Sequence, residues 1–157
     1  MYPSKHLIYG ILFGGFLYFL FPQFTLKGFF IFLAATTLID GDHYLDYIIR
    51  KKDLNPKKAV SWFYEHSRKN KELPLERREN VYHCYYSLHG FEILLLTYVL
   101  SFLNKIFFFI FIGFAFHLLL DLIYQTTYFK NRCDKISIIR DILKFKKLTF
   151  IEDEISK

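Results

Sequence analysis

Cysteine is scarce in this sequence: only Cys84 and Cys133 occur in 157 residues, with no CxxC pair, so neither a disulfide framework nor a thiolate metal site is expected. Glycine (7) and proline (4) are few beside 20 Phe, and no internal repeat or low-complexity segment accompanies the phenylalanine bias. A cleaved leader is not expected either. Lys5 precedes an apolar run, but no small-x-small pattern follows closely and a second apolar block comes at once.

The apolar residues gather in four blocks, at 7–21, 24–39, 91–103 and 106–124. Each lies near or below the roughly 20 residues that cross a bilayer, so the flanking turns must contribute, with Lys27 snorkelling from one end. The expectation is an all-α protein: a four-transmembrane-helix bundle with helices over about residues 5–22, 24–43, 85–103 and 105–128. A cytoplasmic loop, 44–84, and a tail, 129–157, complete one integral membrane domain over 1–157.

Charge sets the orientation. The formal net charge is +6, and Lys and Arg concentrate in the long central connection and after Phe129, whereas the two short turns carry only Lys27 and Lys105. By the positive-inside rule both termini and the central loop face the cytoplasm, as in a cell (inner) membrane. Topology thus accounts for the positive charge, and no nucleic acid partner is expected.

The basic segments have helical signals of their own. Asn55-Pro56 reads as an N-cap followed by Pro at the first helical position. Near the end, Ile136, Ile139 and Leu143 recur at helical spacing beside Arg140, Lys144 and Lys147, which predicts a C-terminal amphipathic helix. Both segments suit an anionic leaflet, making membrane lipids the expected partner, while a solvated basic loop is the alternative for the central one.

Polar residues interrupt the apolar blocks at one level. Counted along the helices, His6, Asp40, His89, His117 and Asp121 all fall roughly 18–24 Å from the outer turns. Buried ionisable groups in hydrocarbon are costly and usually pair or ligate, so their convergence from four helices points to a metal centre or catalytic site. His117 and Asp121 stand at i and i+4, and His89 and Glu92 at i and i+3, so each pair is expected on one helix face. The segment "LIDGDHYLDY" adds Asp42 and His43. The candidate metal ligands are therefore His6, Asp40, Asp42, His43, His89, Glu92, His117 and Asp121. Imidazole and carboxylate without thiolate suit a divalent transition metal, zinc first, with manganese or iron as alternatives, and the four carboxylates can offset two divalent ions.

In "DGDH" at Asp40–His43, in His6 and His89, and in "GFAFHLLLD" from Gly113 to Asp121, the chain resembles the membrane-bound metal-dependent hydrolases, the YdjM-like inner-membrane family. That family's pattern is an N-terminal His, Pro-Asp-x-Asp-His, a His at the start of a later helix, and Gly-x-x-x-His-x-x-x-Asp. Ile39 stands where the family has Pro, and "HCYYSLHG" replaces a longer His motif, which leaves His83 between loop residue and outer ligand. The likeness covers the four helices and not the basic loop or tail. It implies kinship with zinc phospholipase C and P1 nuclease, hence phosphoester hydrolysis at a centre of one to three ions. His6, Asp40, His89, His117 and Asp121 would be ligands, and Asp42 and His43 either ligands or their supports.

In that reading Asp40 or Asp42 is the catalytic base, and a phosphoester, possibly lipid-linked, at the cytoplasmic face is the substrate most easily reached. The competing reading is a non-enzymatic metal-binding, ion-carrying or regulatory membrane protein. A conduit should continue polar groups to the outer face, yet "LYFLFP" and "IFFFIFIG" are almost wholly apolar. A haem bundle is disfavoured by the aspartates among the imidazoles. His66 reads as a surface residue, Asp46 as a cap or solvated end of the second helix, and Tyr44 and Tyr47 as an interfacial aromatic belt.

Overall fold

The computed structural model describes residues 3–78, 80–82, 84, 87–128 and 137–155. The chain is mostly helical and gathers into two compact units, one of residues 1–40 with 88–137, the other of 41–87 with 138–157. The sequence suggests one domain, whereas the contacts within the chain group it into two units.

The first unit holds α1 (Pro3–Leu20), α2 (Leu26–Leu38), α6 (Phe91–Ser101) and α7 (Lys105–Tyr128). Thr25 caps α2 by accepting from the Gly28 N–H at 3.2 Å. The α6–α7 turn is closed by Asn104, whose Oδ1 accepts from the Ile106 N–H at 2.8 Å. Helix α2 packs on α1 and α7, and α7 also on α6. Phe24, Phe32 and Phe109 form the buried core, with Phe13 stacked on Phe116 at 4.4 Å between ring centroids.

Outside, this unit is apolar: Leu12, Phe16, Phe19, Phe30, Leu95, Leu96 and Leu119 are all exposed. Helix α7 coincides with the expected 105–128 span, and its segment Lys105–Thr127 is long and apolar enough to cross a membrane. It is the one such helix among the described residues, whereas Ser4–Leu20 and Phe91–Ser101 are shorter apolar helices. Four full spans are therefore not established.

The helix expected over 24–43 is two helices. Helix α2 stops at Leu38, Ile39 and Asp40 make a turn, and α3 (Gly41–Lys51) begins afresh. The change of character explains the break: α2 is apolar on every side, while α3 is amphipathic with Asp42, His43, Asp46 and Tyr47 inward. The helix expected from 85 starts only at Phe91, because Gly90 precedes it in an extended conformation (φ −109°, ψ 154°).

The second unit shows that the 44–84 connection is folded beyond the helix expected from Asn55-Pro56. It contains α3, α4 (Pro56–Glu72), α5 (Leu75–Arg78) and β1 (Val81–Tyr82), together with α8 (Ile138–Phe145), β2 (Thr149–Phe150) and α9 (Ile151–Ile155) from the chain end. Asn55 caps α4, its Oδ1 accepting from the Lys57 and Lys58 N–H groups at 3.0 and 3.3 Å, and Pro56 follows at the first helical position. β1 and β2 pair in parallel, Val81 opposite Thr149 and Tyr82 opposite Phe150. Tyr47, Ala59, Trp62, Val81, Phe150 and Ile151 make the core. Helix α8 is amphipathic, with Ile139 and Leu143 exposed; Ile136 lies outside the described residues.

Candidate metal centre

Five of the eight candidate ligands lie together inside the first unit. His6 comes from the first turns of α1, Asp40 from the turn after α2, His89 from the residues just before α6, and His117 and Asp121 from one face of α7. His6, His89 and His117 are at most 1% exposed, Asp121 1% and Asp40 9%, so Asp40 is the member nearest solvent. His117 is the hub. Its Nε2 lies 3.1 Å from His89 Nε2, 3.6 Å from Asp40 Oδ1 and 3.5 Å from Asp121 Oδ2. His89 Nε2 is 3.3 Å from Asp40 Oδ1 and 3.8 Å from Asp121 Oδ2, and His6 Nε2 is 3.3 Å from Asp121 Oδ1. The His6 ring stacks on that of His117, centroids 3.8 Å apart.

Hydrogen-bond chemistry gives this geometry a direction. His117 Nδ1 is 2.7 Å from the Thr36 carbonyl oxygen, which can only accept, so Nδ1 carries the proton. In the neutral ring Nε2 is then a lone pair, and it faces carboxylate oxygens and another imidazole nitrogen. The two carboxylates present only electron pairs there, which a cation satisfies, while His89 Nε2 adds a further lone pair as the Nδ1–H tautomer or donates to these groups as the Nε2–H tautomer. His6 carries a second sign of the same kind: its ring is fully buried, its Nδ1 makes no hydrogen bond among the described residues, and its Nε2 faces the Asp121 carboxylate at 3.3 Å. His6, Asp40 and His117 offer three donor atoms within 4.8 Å of one another, as do His89, His117 and Asp121. The donor set fits a divalent transition ion.

Asp42 and His43 belong to the second unit, where Asp42 Oδ1 lies 2.9 Å from His43 Nδ1 and the His43 ring stacks on Phe63. Glu92 accepts a hydrogen bond from Ser137, and it belongs to none of the close His and Asp groupings among the described residues. The same-face argument for His89 and Glu92 fails because His89 precedes the helix. His83 and Cys133 lie outside the described residues.

Comparison with known proteins found nothing: no family model, no curated protein and no solved structure matches this chain.

Several polar residues outside the cluster sit differently from what their sequence neighbours imply. His66 is 3% exposed, not a surface residue. Its Nδ1 is 2.6 Å from the Trp62 carbonyl and its Nε2 2.9 Å from Glu152 Oε1, which also accepts from Trp62 Nε1 at 3.0 Å and pairs with Lys51 at 2.7 Å. Burial alone would raise the Glu152 carboxyl, but the Lys51 and Trp62 donors bring it below its ordinary value. Asp46, 8% exposed, pairs with Arg50 at 2.9 Å. Cys84 lies 3.4 Å from His43 Nδ1 and is fully buried, and burial pushes its thiol up against the opposing pull of His43. Nothing in the spacing of Cys84, His66 or Thr36 announces these partners, since each is more than 40 residues away or is a main-chain atom.

Proposed function

We propose that this protein is a membrane-embedded, metal-dependent hydrolase that cleaves a phosphoester, possibly a lipid-linked one, at the cytoplasmic face of the inner membrane. The observation that supports the reading is the clustering of His6, Asp40, His89, His117 and Asp121 inside the first unit as two triads that share His117, whose tautomer presents a lone pair. Resemblance of the same residues to the membrane-bound metal-dependent hydrolases supports the choice of reaction.

Those five side chains hold the ion in this reading. A divalent ion, when bound, brings the pKa of a water toward neutrality and polarises a phosphoryl oxygen. Asp40 is the base: it is the most exposed of the five and stands on a turn rather than in a helix, so its carboxylate can take a proton and return it to solvent. The inward histidines and buried His117–Asp121 face exclude bulk water from the rest of the site. Asp42 pairs with His43 within its own unit, and the proton is assigned to Asp40 alone.

Membrane embedding rests on the inverted polarity of the first unit, apolar outside and ionisable inside. We take α7 as a full span, with α1, α2 and α6 packed with it as shorter membrane helices. Helices of 13 and 11 residues reach about 20 and 17 Å, short of a hydrocarbon core of roughly 30 Å. Basic segments 44–84 and 129–157 are cytoplasmic in this topology.

The test is metal analysis of protein purified in detergent, followed by a phosphoester panel. Stoichiometric zinc, manganese or iron, lost together with hydrolysis in His89→Ala, is the expected result. Protein that takes up no metal after supplementation would sink the reading. Metal uptake without turnover on any phosphoester would favour the alternative, a metal-binding or ion-carrying regulatory protein.

A further inference from the structure

Helices α2 and α7 approach most closely beside the candidate ligand His117. Gly113 is one turn before His117 on α7. A Cβ built there would lie 2.7 Å from the Phe32 carbonyl oxygen, 2.8 Å from Ala35 Cβ and 3.3 Å from the Thr36 nitrogen. The two helices therefore meet backbone to backbone at this point, closer than any residue with a side chain permits. Thr36 bridges the same junction: its hydroxyl donates to the Phe32 carbonyl at 2.8 Å and lies 3.3 Å from the Gly113 carbonyl. Its own carbonyl accepts from His117 Nδ1 at 2.7 Å.

We propose that the Gly113 contact between α2 and α7 positions His117, the Thr36 carbonyl taking its Nδ1 proton so that Nε2 is the single lone pair shared by both candidate triads, and that the cluster consequently seats one ion. The first part follows from reach. A main-chain carbonyl can meet an imidazole on the neighbouring helix at hydrogen-bond distance only where the backbones are close, and Gly113 provides that closeness one turn away. The second part follows from valence. Both triads whose members all belong to the first unit, His6–Asp40–His117 and His89–His117–Asp121, use His117. A nitrogen lone pair ligates one ion, and bridging through Nδ1 is blocked while its proton is held by Thr36. The triads are thus alternative descriptions of one seat. Thr36 and Gly113 touch neither ion nor substrate and are positioning residues.

This rests on the metal reading above, and the experiment separates the two. The full chain, in detergent micelles or nanodiscs with ¹⁵N-labelled histidine, is examined metal-free by long-range ¹H–¹⁵N correlation. His117 is expected as the Nδ1–H tautomer, and an Nε2–H tautomer overturns the positioning role whether or not the protein binds metal. Zinc(II) titration then gives affinity and count. Gly113→Ala is expected to weaken zinc binding by about 10- to 100-fold, the range for loss of a ligand's supporting partner. Gly14→Ala, whose Cβ meets the Phe32 ring at 2.9 Å and not the Thr36 backbone, controls for packing damage and should leave affinity unchanged. Equal affinity in Gly113→Ala and wild type, or equal loss in both variants, overturns the proposal. His117→Ala should remove one zinc per chain, and removal of two overturns the single seat. Wild-type protein with the expected tautomer and no zinc binding at any concentration refutes the metal reading and with it the single seat, while the positioning of His117 by Thr36 and Gly113 stands.

Discussion

Neutralising one acid of the cluster should have opposite effects with and without metal. Asp40 Oδ1 and Asp121 Oδ2 lie 3.6 and 3.5 Å from the same nitrogen, His117 Nε2. The two oxygens are then no more than about 7 Å apart, and at an effective dielectric of about 20 two full charges at that separation repel by about 2 kcal/mol. Asp121→Asn keeps the shape and removes that repulsion. At pH 9, above the ordinary imidazole range, the metal-free variant should be more stable than wild type by about 2 kcal/mol. Wild type with zinc at a hundred times its dissociation constant should gain about 2.7 kcal/mol, and the variant little or none. Thermal unfolding in detergent, followed by fluorescence of labelled or intrinsic aromatic residues, reads both. For a unit of this size, each kcal/mol moves the midpoint by roughly 4–8 °C. A metal-free Asp121→Asn that melts earlier than wild type, with its zinc response intact, would show that Asp121 serves packing and not ligation.

Three other expectations concern packing and the second unit. Phe32 is fully buried among Phe13, Phe24 and Phe116, so Phe32→Ala should lower stability by about 3–5 kcal/mol in a detergent-denaturation titration, with a smaller loss sinking the assigned core. Glu152 is held below its ordinary carboxyl value, so its contribution is complete above the unfolded value near 4.3 and is lost as pH falls through the lower folded one. Hydrogen exchange over 149–155 should accelerate in that acid range, and Glu152→Gln should remove the acid dependence; an unchanged dependence in the variant would assign it elsewhere. Lys52 ends α3 at φ 52°, a left-handed conformation that glycine adopts without a Cβ clash. Lys52→Gly should stabilise the second unit by about 1 kcal/mol in thermal unfolding, and destabilisation would mean that its side chain holds a contact worth more than the strain.

Local signals were legible wherever one stretch of chain decides the outcome. Unbroken apolar character specified α7, and i,i+4 spacing put His117 and Asp121 on one of its faces. Asn55-Pro56 announced the start of α4 because a cap acts within three residues. The same reasoning misplaced the end of α2, because hydropathy does not register where a helix hands its remaining residues to a different packing partner. The packing of 44–84 with the chain end is not legible locally, since a core that joins Tyr47 and Trp62 to Phe150 and Ile151 has no signature in one stretch of chain.

The sequence by itself determined that ionisable side chains occur within apolar segments, and the energetics of burial require such groups to find partners. Which partners they find was decided by tertiary structure. His117 meets a main-chain carbonyl 81 residues away in the chain, Asp121 meets His6, and His66 leaves the surface for Glu152. Helix periodicity assigns each residue a face, whereas only the approach of one backbone to another, as at Gly113, brings two faces within the few ångströms over which a lone pair and a proton recognise each other.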